Sequence, residues 1–157
     1  MTSEHYYFDY DYYYGWTRAT ISEKLLEIAI QMRTSFDIFT NEAQFYKEDG
    51  EHRKRPKTFD EEISKRFNLG KLSSKHPPTV RLICNKIIHC NDFRLKERKN
   101  QKHFSWGGTL VLQGSLNNQN WKLEMNLTEF CECTINLLDA LEEEYCLHSI
   151  YKYDQIN

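Results

Sequence analysis

Ile21, Leu25, Ile28, Met32, Phe36 and Phe39 recur at spacings of four, three, four, four and three residues. At 3.6 residues per turn this pattern lines six apolar side chains along one helix face for about five turns. A chain carrying such a stripe must bury it, so the segment predicts a long core helix. Thr20 and Glu23 form a Thr-x-x-Glu capping box, which predicts the helix start at residue 20. A second long stripe, Leu127, Phe130, Thr134, Leu137, Leu138, Leu141 and Tyr145, follows Asn126 and Glu129, an Asx variant of the same cap. Two long amphipathic helices in one chain point to a mainly α fold.

The intervening elements are shorter. Residues 40–57 turn polar and end in a basic run before Pro56, which predicts a loop. Thr58 and Glu61 repeat the capping-box pattern, and a short helix burying Ile63 and Phe67 is expected to stop near Gly70. Pro77 and Pro78 break the chain, after which Thr79 can cap a third helix over residues 80–90. Gly107 and Gly108 precede a β-type run from 109 to 113; Asn117 and Asn118 suit a turn, and residues 121–125 alternate apolar and polar. This combination predicts a two-stranded hairpin between 109 and 125, just before the last long helix.

The chain of 157 residues is the length of one domain and can bury a core without disulfides or a metal. Hydrophobic residues make up 39% and charged residues 28%, an ordinary globular composition. No apolar run reaches the roughly 18 residues of a membrane span. The N-terminus lacks the basic and apolar regions of a signal peptide, so a cytoplasmic location is expected. The five cysteines, Cys84, Cys90, Cys131, Cys133 and Cys146, are an odd number and are read as reduced thiols. Only one residue separates Cys131 from Cys133, too few for the usual zinc-ligand spacing, and both read as small core residues. No metal or other cofactor is expected.

The formal net charge is -2, yet the charge is uneven. One basic cluster holds Arg53, Lys54, Arg55 and Lys57, and a second holds Arg94, Lys96, Arg98, Lys99 and Lys102. Residues 124–144 carry seven acids and no Lys or Arg. The two basic segments read as solvated loops with the chemistry to contact phosphates. At the other extreme, Tyr6, Tyr7, Phe8, Tyr10, Tyr12, Tyr13, Tyr14 and Trp16 crowd the N-terminus around Asp9 and Asp11. So much aromatic surface is expected to dock on the core or on a second subunit, while the aspartates oppose stacking on RNA. The expected organisation is therefore an aromatic arm over residues 1–19, a helical domain over 20–150 and a tail over 151–157.

The third helix carries the candidate site. At about 100° per residue, Val80, Ile83, Cys84 and Ile87 share one face, while Arg81, Asn85 and His89 fall within a strip roughly 80° wide on another, with Lys86 at its edge. An imidazole exchanges protons near neutral pH, a guanidinium grips phosphate through two parallel hydrogen bonds, and an amide can orient either. Against this stands the plainer reading of a polar helix face, with His89 as a helix-end residue whose cationic form complements the dipole.

The run Asn85-Lys-Ile-Ile-His89 resembles the signature helix of HEPN (higher eukaryotes and prokaryotes nucleotide-binding) domains. Residues 80–144 resemble more closely a group of small bacterial HEPN-like proteins, in which an Arg … Cys-Asn-Lys-Ile-Ile-His helix precedes a hairpin with a Gly and a Trp, here Gly114 and Trp121, and a final helix. The resemblance implies a HEPN-like helical bundle with a small β-hairpin insertion before the last long helix. It implies a metal-independent endoribonuclease of a toxin–antitoxin or antiphage defence system, with His89, Arg81 and Asn85 as the catalytic group. Lys86, Arg94, Lys96, Arg98 and Lys99 would then hold the RNA. The implied partners are a second copy of the chain, whose matching helix face completes a shared groove, an RNA substrate, and an antitoxin or defence-system protein. The alternative is a non-catalytic HEPN-like binding or regulatory module. The nuclease motif places four to six residues between Arg and His, whereas seven separate Arg81 from His89.

Overall fold

Leu25, Ala29, Met32, Phe36, Phe39 and Tyr46 continue one stripe along the first helix and are all buried. A computed structural model describes residues 10–48, 50, 53–73, 77–97 and 106–154. In chain order the elements are α1 (Tyr10–Glu48), α2 (Pro56–Ser64), β1 (Gly70–Leu72), α3 (Val80–Ile88), β2 (Asp92–Glu97), β3 (Trp106–Leu116), β4 (Gln119–Asn126) and α4 (Leu127–Asp154). The fold is mainly helical, and among the described residues no helix is long and apolar enough to cross a membrane.

Helix α1 is longer at both ends than the sequence pattern suggested. It starts at Tyr10, so the Thr20–Glu23 box lies inside the helix and residues 10–19 of the expected arm are helical. Tyr14, Ile21 and Ile28, seven residues apart, all pack against the core. A capping box contributes only about 1 kcal/mol, and a continuing apolar stripe outweighs it. At the other end, the predicted loop after residue 40 is helix to Glu48, because Ala43 and Tyr46 extend the stripe beyond Phe39. Residues 1–9 of the arm and 155–157 of the tail lie outside the described residues.

Helix α2 begins at Pro56, with Arg55 as its N-cap, rather than after Thr58. Proline suits that first turn, where its missing N–H would have no helical partner. Helix α3 matches its prediction closely: Thr79 caps it by accepting the Leu82 N–H at 3.3 Å. Helix α4 starts as expected, with Asn126 Oδ1 accepting the Glu129 N–H. It extends to Asp154, into the predicted tail.

The hairpin is present, and Asn117 and Asn118 turn it with φ of 50° and 60°. Both central residues in the left-handed region define the tight two-residue turn that matches strand twist. The hairpin is not alone, however. Two strands that the sequence did not predict complete an antiparallel sheet of order β1-β4-β3-β2. Gly70 begins β1 instead of ending a helix. Its φ is +122°, and a Cβ there would stand 2.0 Å from the Glu124 carbonyl oxygen, so only glycine fits this approach. Strand β2 occupies part of the segment read as a basic loop: Phe93 and Leu95 pair with Leu112 and Leu110, while Arg94 and Lys96 point to the other side.

The inner face of the sheet, with Leu95, Leu110, Leu112, Leu123 and Met125, closes over Phe130, Cys133, Leu137 and Leu141 of α4 and over the buried sides of α1 and α3 as one core. Tyr145 locks α4 to α1. Its ring lies 5.4 Å from that of Phe39, and its hydroxyl donates to the Lys54 carbonyl at 2.5 Å.

Candidate functional site

Helix α3 is anchored at its start by a carboxylate from α2. Asp60 is 3% exposed, and its oxygens accept the N–H groups of Val80 at 2.9 Å and Arg81 at 3.2 Å. Ser64 donates to Asp60 at 3.1 Å and also accepts from Val80. A negative group at the helix N-terminus answers the dipole and fills donors that would otherwise be orphaned. Burial nevertheless pushes the Asp60 carboxyl above the usual carboxylate range, against the pull of hydrogen bonds from Thr79, Arg81, Ser64 and Val80. The sequence reading did not find this anchor. The signal was present, because Asp60 falls between Pro56 and Ile63 on the apolar side of α2, where a solvated acid has no place.

The buried side of α3 is Val80, Ile83, Cys84 and Ile87, as the pattern predicted. Burial drives the Cys84 thiol up to about 12, so it is an inert core residue. On the other side, Arg81 and His89 are exposed and Asn85 is half-buried. These three share a face but do not meet at one point. Eight residue steps along a helix separate Arg81 from His89 by about 12 Å. The Arg81 guanidinium lies over the Phe36 ring of α1, 5.7 Å from its centroid. His89 ends the helix, its backbone N–H donating to the Asn85 carbonyl at 3.2 Å.

The end of α3 that carries His89 is seated on the hairpin. Gly114 makes this possible: a Cβ there would stand 2.4 Å from Trp121 Cζ2 and 2.8 Å from the His89 carbonyl oxygen. One turn back, the Lys86 ammonium sits 4.3 Å from the Trp121 ring centroid. Partial burial there lowers the Lys86 pKa. Next to this contact opens a cleft of about 470 Å³ lined by Ser73, Asn91, Gln113, Asn120, Trp121 and Lys122, among others. Asn91 is held at its rim by donating its N–H to the Gln113 carbonyl at 2.8 Å. The Lys86–Trp121 contact and the cleft depend on pairing between distant segments, which residue spacing on α3 alone could not reveal.

The other candidate cations are partly neutralised. Arg94 pairs with Asp92 at 2.7 Å, and Lys96 with Glu124 at 2.6 Å. Hydrogen bonds from Lys96 and Lys122 hold the Glu124 carboxyl below its ordinary value. Arg98 and Lys99 lie outside the described residues. Cys131 is half-buried and Cys133 buried, and burial raises the Cys133 thiol to about 11. Among the described residues, no group of three His, Cys, Asp or Glu side chains is placed to hold a metal ion.

The arrangement provides an exposed imidazole at a helix end, a lysine and an amide-lined cleft on one side of it, and a guanidinium one helix-length away. Comparison of the chain with protein-family models, with curated proteins and with solved structures finds no match.

Proposed function

We propose that the chain is a HEPN-like protein that acts on RNA through the outward face of α3, cleaving it without a metal. The observation that carries this reading is the division of α3. Val80, Ile83, Cys84 and Ile87 form its buried side, while His89 and Arg81 are exposed and Asn85 is half-buried, so polar groups of α3 remain open to a ligand. In this reading His89 takes the proton from a ribose 2′-hydroxyl. The 2′-oxygen bonds to phosphorus, the P–O5′ bond breaks, and the departing 5′-oxygen takes a proton from water. Lys86 and Arg81 supply positive charge to the phosphate path.

Incubation of the purified protein with total RNA in EDTA tests the proposal. Wild type is expected to cleave and leave 2′,3′-cyclic phosphate ends, and His89→Ala to be inactive. Equal cleavage by both would remove His89 from the reaction. Binding without turnover is the second reading, favoured by the placement of Arg81 over Phe36, about 12 Å along α3 from the imidazole. It predicts RNA retention in a filter-binding assay with no cleavage, weakened by Arg81→Ala.

A further inference from the structure

The sheet has an outer face that the core does not use. Phe93, Leu112 and Leu123 are Cα partners across β2, β3 and β4, and all three pack into the core. Their chain neighbours Asp92, Gln113 and Lys122 therefore form a row on the opposite side. Ser115 and Asn120 make the next row toward the hairpin turn. The cleft of about 470 Å³ opens along these two rows, with Ser73 and Asn91 also lining it. Such a volume lies within the range of small-ligand sites, roughly 300–1,000 Å³.

Amides dominate this lining. Asn91 precedes β2, Gln113 lies on β3 and Asn120 on β4, and none of the three side chains is hydrogen-bonded within the described residues. Each offers a donor beside an acceptor. Gln113 pairs with Lys122, and Asn120 is two residues before Lys122, so the two amides stand on a diagonal of the hairpin, roughly 7–8 Å apart at the backbone. A flat ring fits between side chains so placed. Around the cleft, the described outer face carries Lys71, Arg94, Lys96 and Lys122 against two acids, Asp92 and Glu124. The surplus of positive charge favours a polyanion over a neutral ligand.

We propose that the cleft holds one unpaired base of a single-stranded RNA and prefers adenine. Adenine sets its N6 amino donor beside the N1 acceptor on one edge and beside N7 on another, so two amides can each grip it through paired hydrogen bonds. Uracil and cytosine offer such a donor–acceptor pair on one edge only. The Hoogsteen edge of guanine presents two acceptors, which a cation matches better than an amide. The position of the cleft links it to the end of α3. Only Cys90 separates His89 from Asn91 in the chain, and Gly114 lines the cleft while meeting the His89 carbonyl on its other side. A base seated there lies across a single strand from His89, and an RNA backbone passing around the start of β2 reaches the imidazole. The inference rests on the reading of α3 as a face that acts on RNA, and it names the base that such an RNA presents.

The test is fluorescence anisotropy of the full chain with short, labelled 2′-O-methyl RNA homopolymers of adenine, uracil or cytosine, which bind but lack the attacking hydroxyl. The adenine oligomer is expected to bind wild type roughly tenfold tighter than the other two. Gln113→Ala and Asn120→Ala should each remove most of that preference while leaving uracil binding near its wild-type value. Lys71→Ala should instead weaken all three oligomers alike. Asn120 is exposed beside the hairpin turn, so its variant keeps the test sound should Gln113→Ala fail to fold. Equal binding of the three oligomers, binding of none, or a preference that survives Asn120→Ala would overturn the proposal. Free adenosine monophosphate is expected to compete only weakly; binding as tight as that of the oligomer would assign the cleft to a free nucleotide and overturn the RNA assignment. Cleavage lost in His89→Ala but blind to base would strike this inference alone, whereas an adenine preference removed by Asn120→Ala, without any cleavage, would keep it and strike the nuclease reading.

Discussion

The carboxylate of Asp60 accepts the backbone N–H of Val80 at 2.9 Å, so the short helix α2 sets where the site-bearing helix α3 begins. Thr79 and Ser64 complete the same knot. Removing the carboxylate takes this acceptor from the Arg81 N–H and leaves the buried Val80 N–H with Ser64 Oγ. Asp60→Ala is expected to lower stability by about 1–3 kcal/mol, read as a lower midpoint in urea. A midpoint equal to wild type would show that the knot contributes nothing.

Gly114 is the contact that seats the His89 end of α3 on the hairpin. A methyl group at this position meets Trp121 and the His89 carbonyl below 3 Å, and neither is a flexible side-chain end. Gly114→Ala should cost about 1–3 kcal/mol by overpacking and shift the fluorescence of Trp121. An unchanged melting temperature and emission spectrum would mean that the helix and hairpin leave room for a methyl group here.

The His89 side chain is exposed, and the contact with Gly114 is made by its backbone carbonyl. His89→Ala should therefore leave stability within about 0.5 kcal/mol of wild type. Loss of RNA cleavage in this variant would then report on chemistry. A large fall in melting temperature would instead make His89 a structural residue.

Alkaline pH should unfold the protein through its buried acids. Folding raises Cys84 from 9.0 to about 12 and Tyr145 from 10.0 to about 12. Between these values the unfolded chain loses protons that the folded chain keeps. Stability is thus intact below pH 9 and falls as pH climbs from 9 toward 12. Cys84→Ala should flatten that decline, even though it opens a small cavity. Urea midpoints measured across this range check the slope, and an unchanged slope in Cys84→Ala would assign the alkaline loss to other groups.

The helix periods were legible in the residues themselves. The stripe from Ile21 to Phe39, the Thr79 cap, the Asn126 cap and the Asn117-Asn118 turn are local signals, each complete within a few residues of chain. The division of α3 into a packed side and a polar side followed from the same 3.6-residue period. Other features were written in the residues but masked. Phe93 and Leu95 alternate with Arg94 and Lys96, a period of two that the charge of the segment obscured. Ala43 and Tyr46 extend α1 among polar neighbours that resembled a loop.

Only tertiary structure decided the rest, because the energies involved come from contacts between segments far apart in the chain. A three-residue strand such as β1 has no local preference strong enough to announce itself; it exists because Gly70 can lie against Glu124 and Met125 of β4. Asp60 is a helix anchor only once α2 and α3 are brought together, and Lys86 finds Trp121 only once the hairpin is seated. Spacing placed Arg81, Asn85 and His89 on one face. The packing of α1 and the hairpin against opposite ends of that face drew Arg81 toward Phe36 and set His89 beside Gly114.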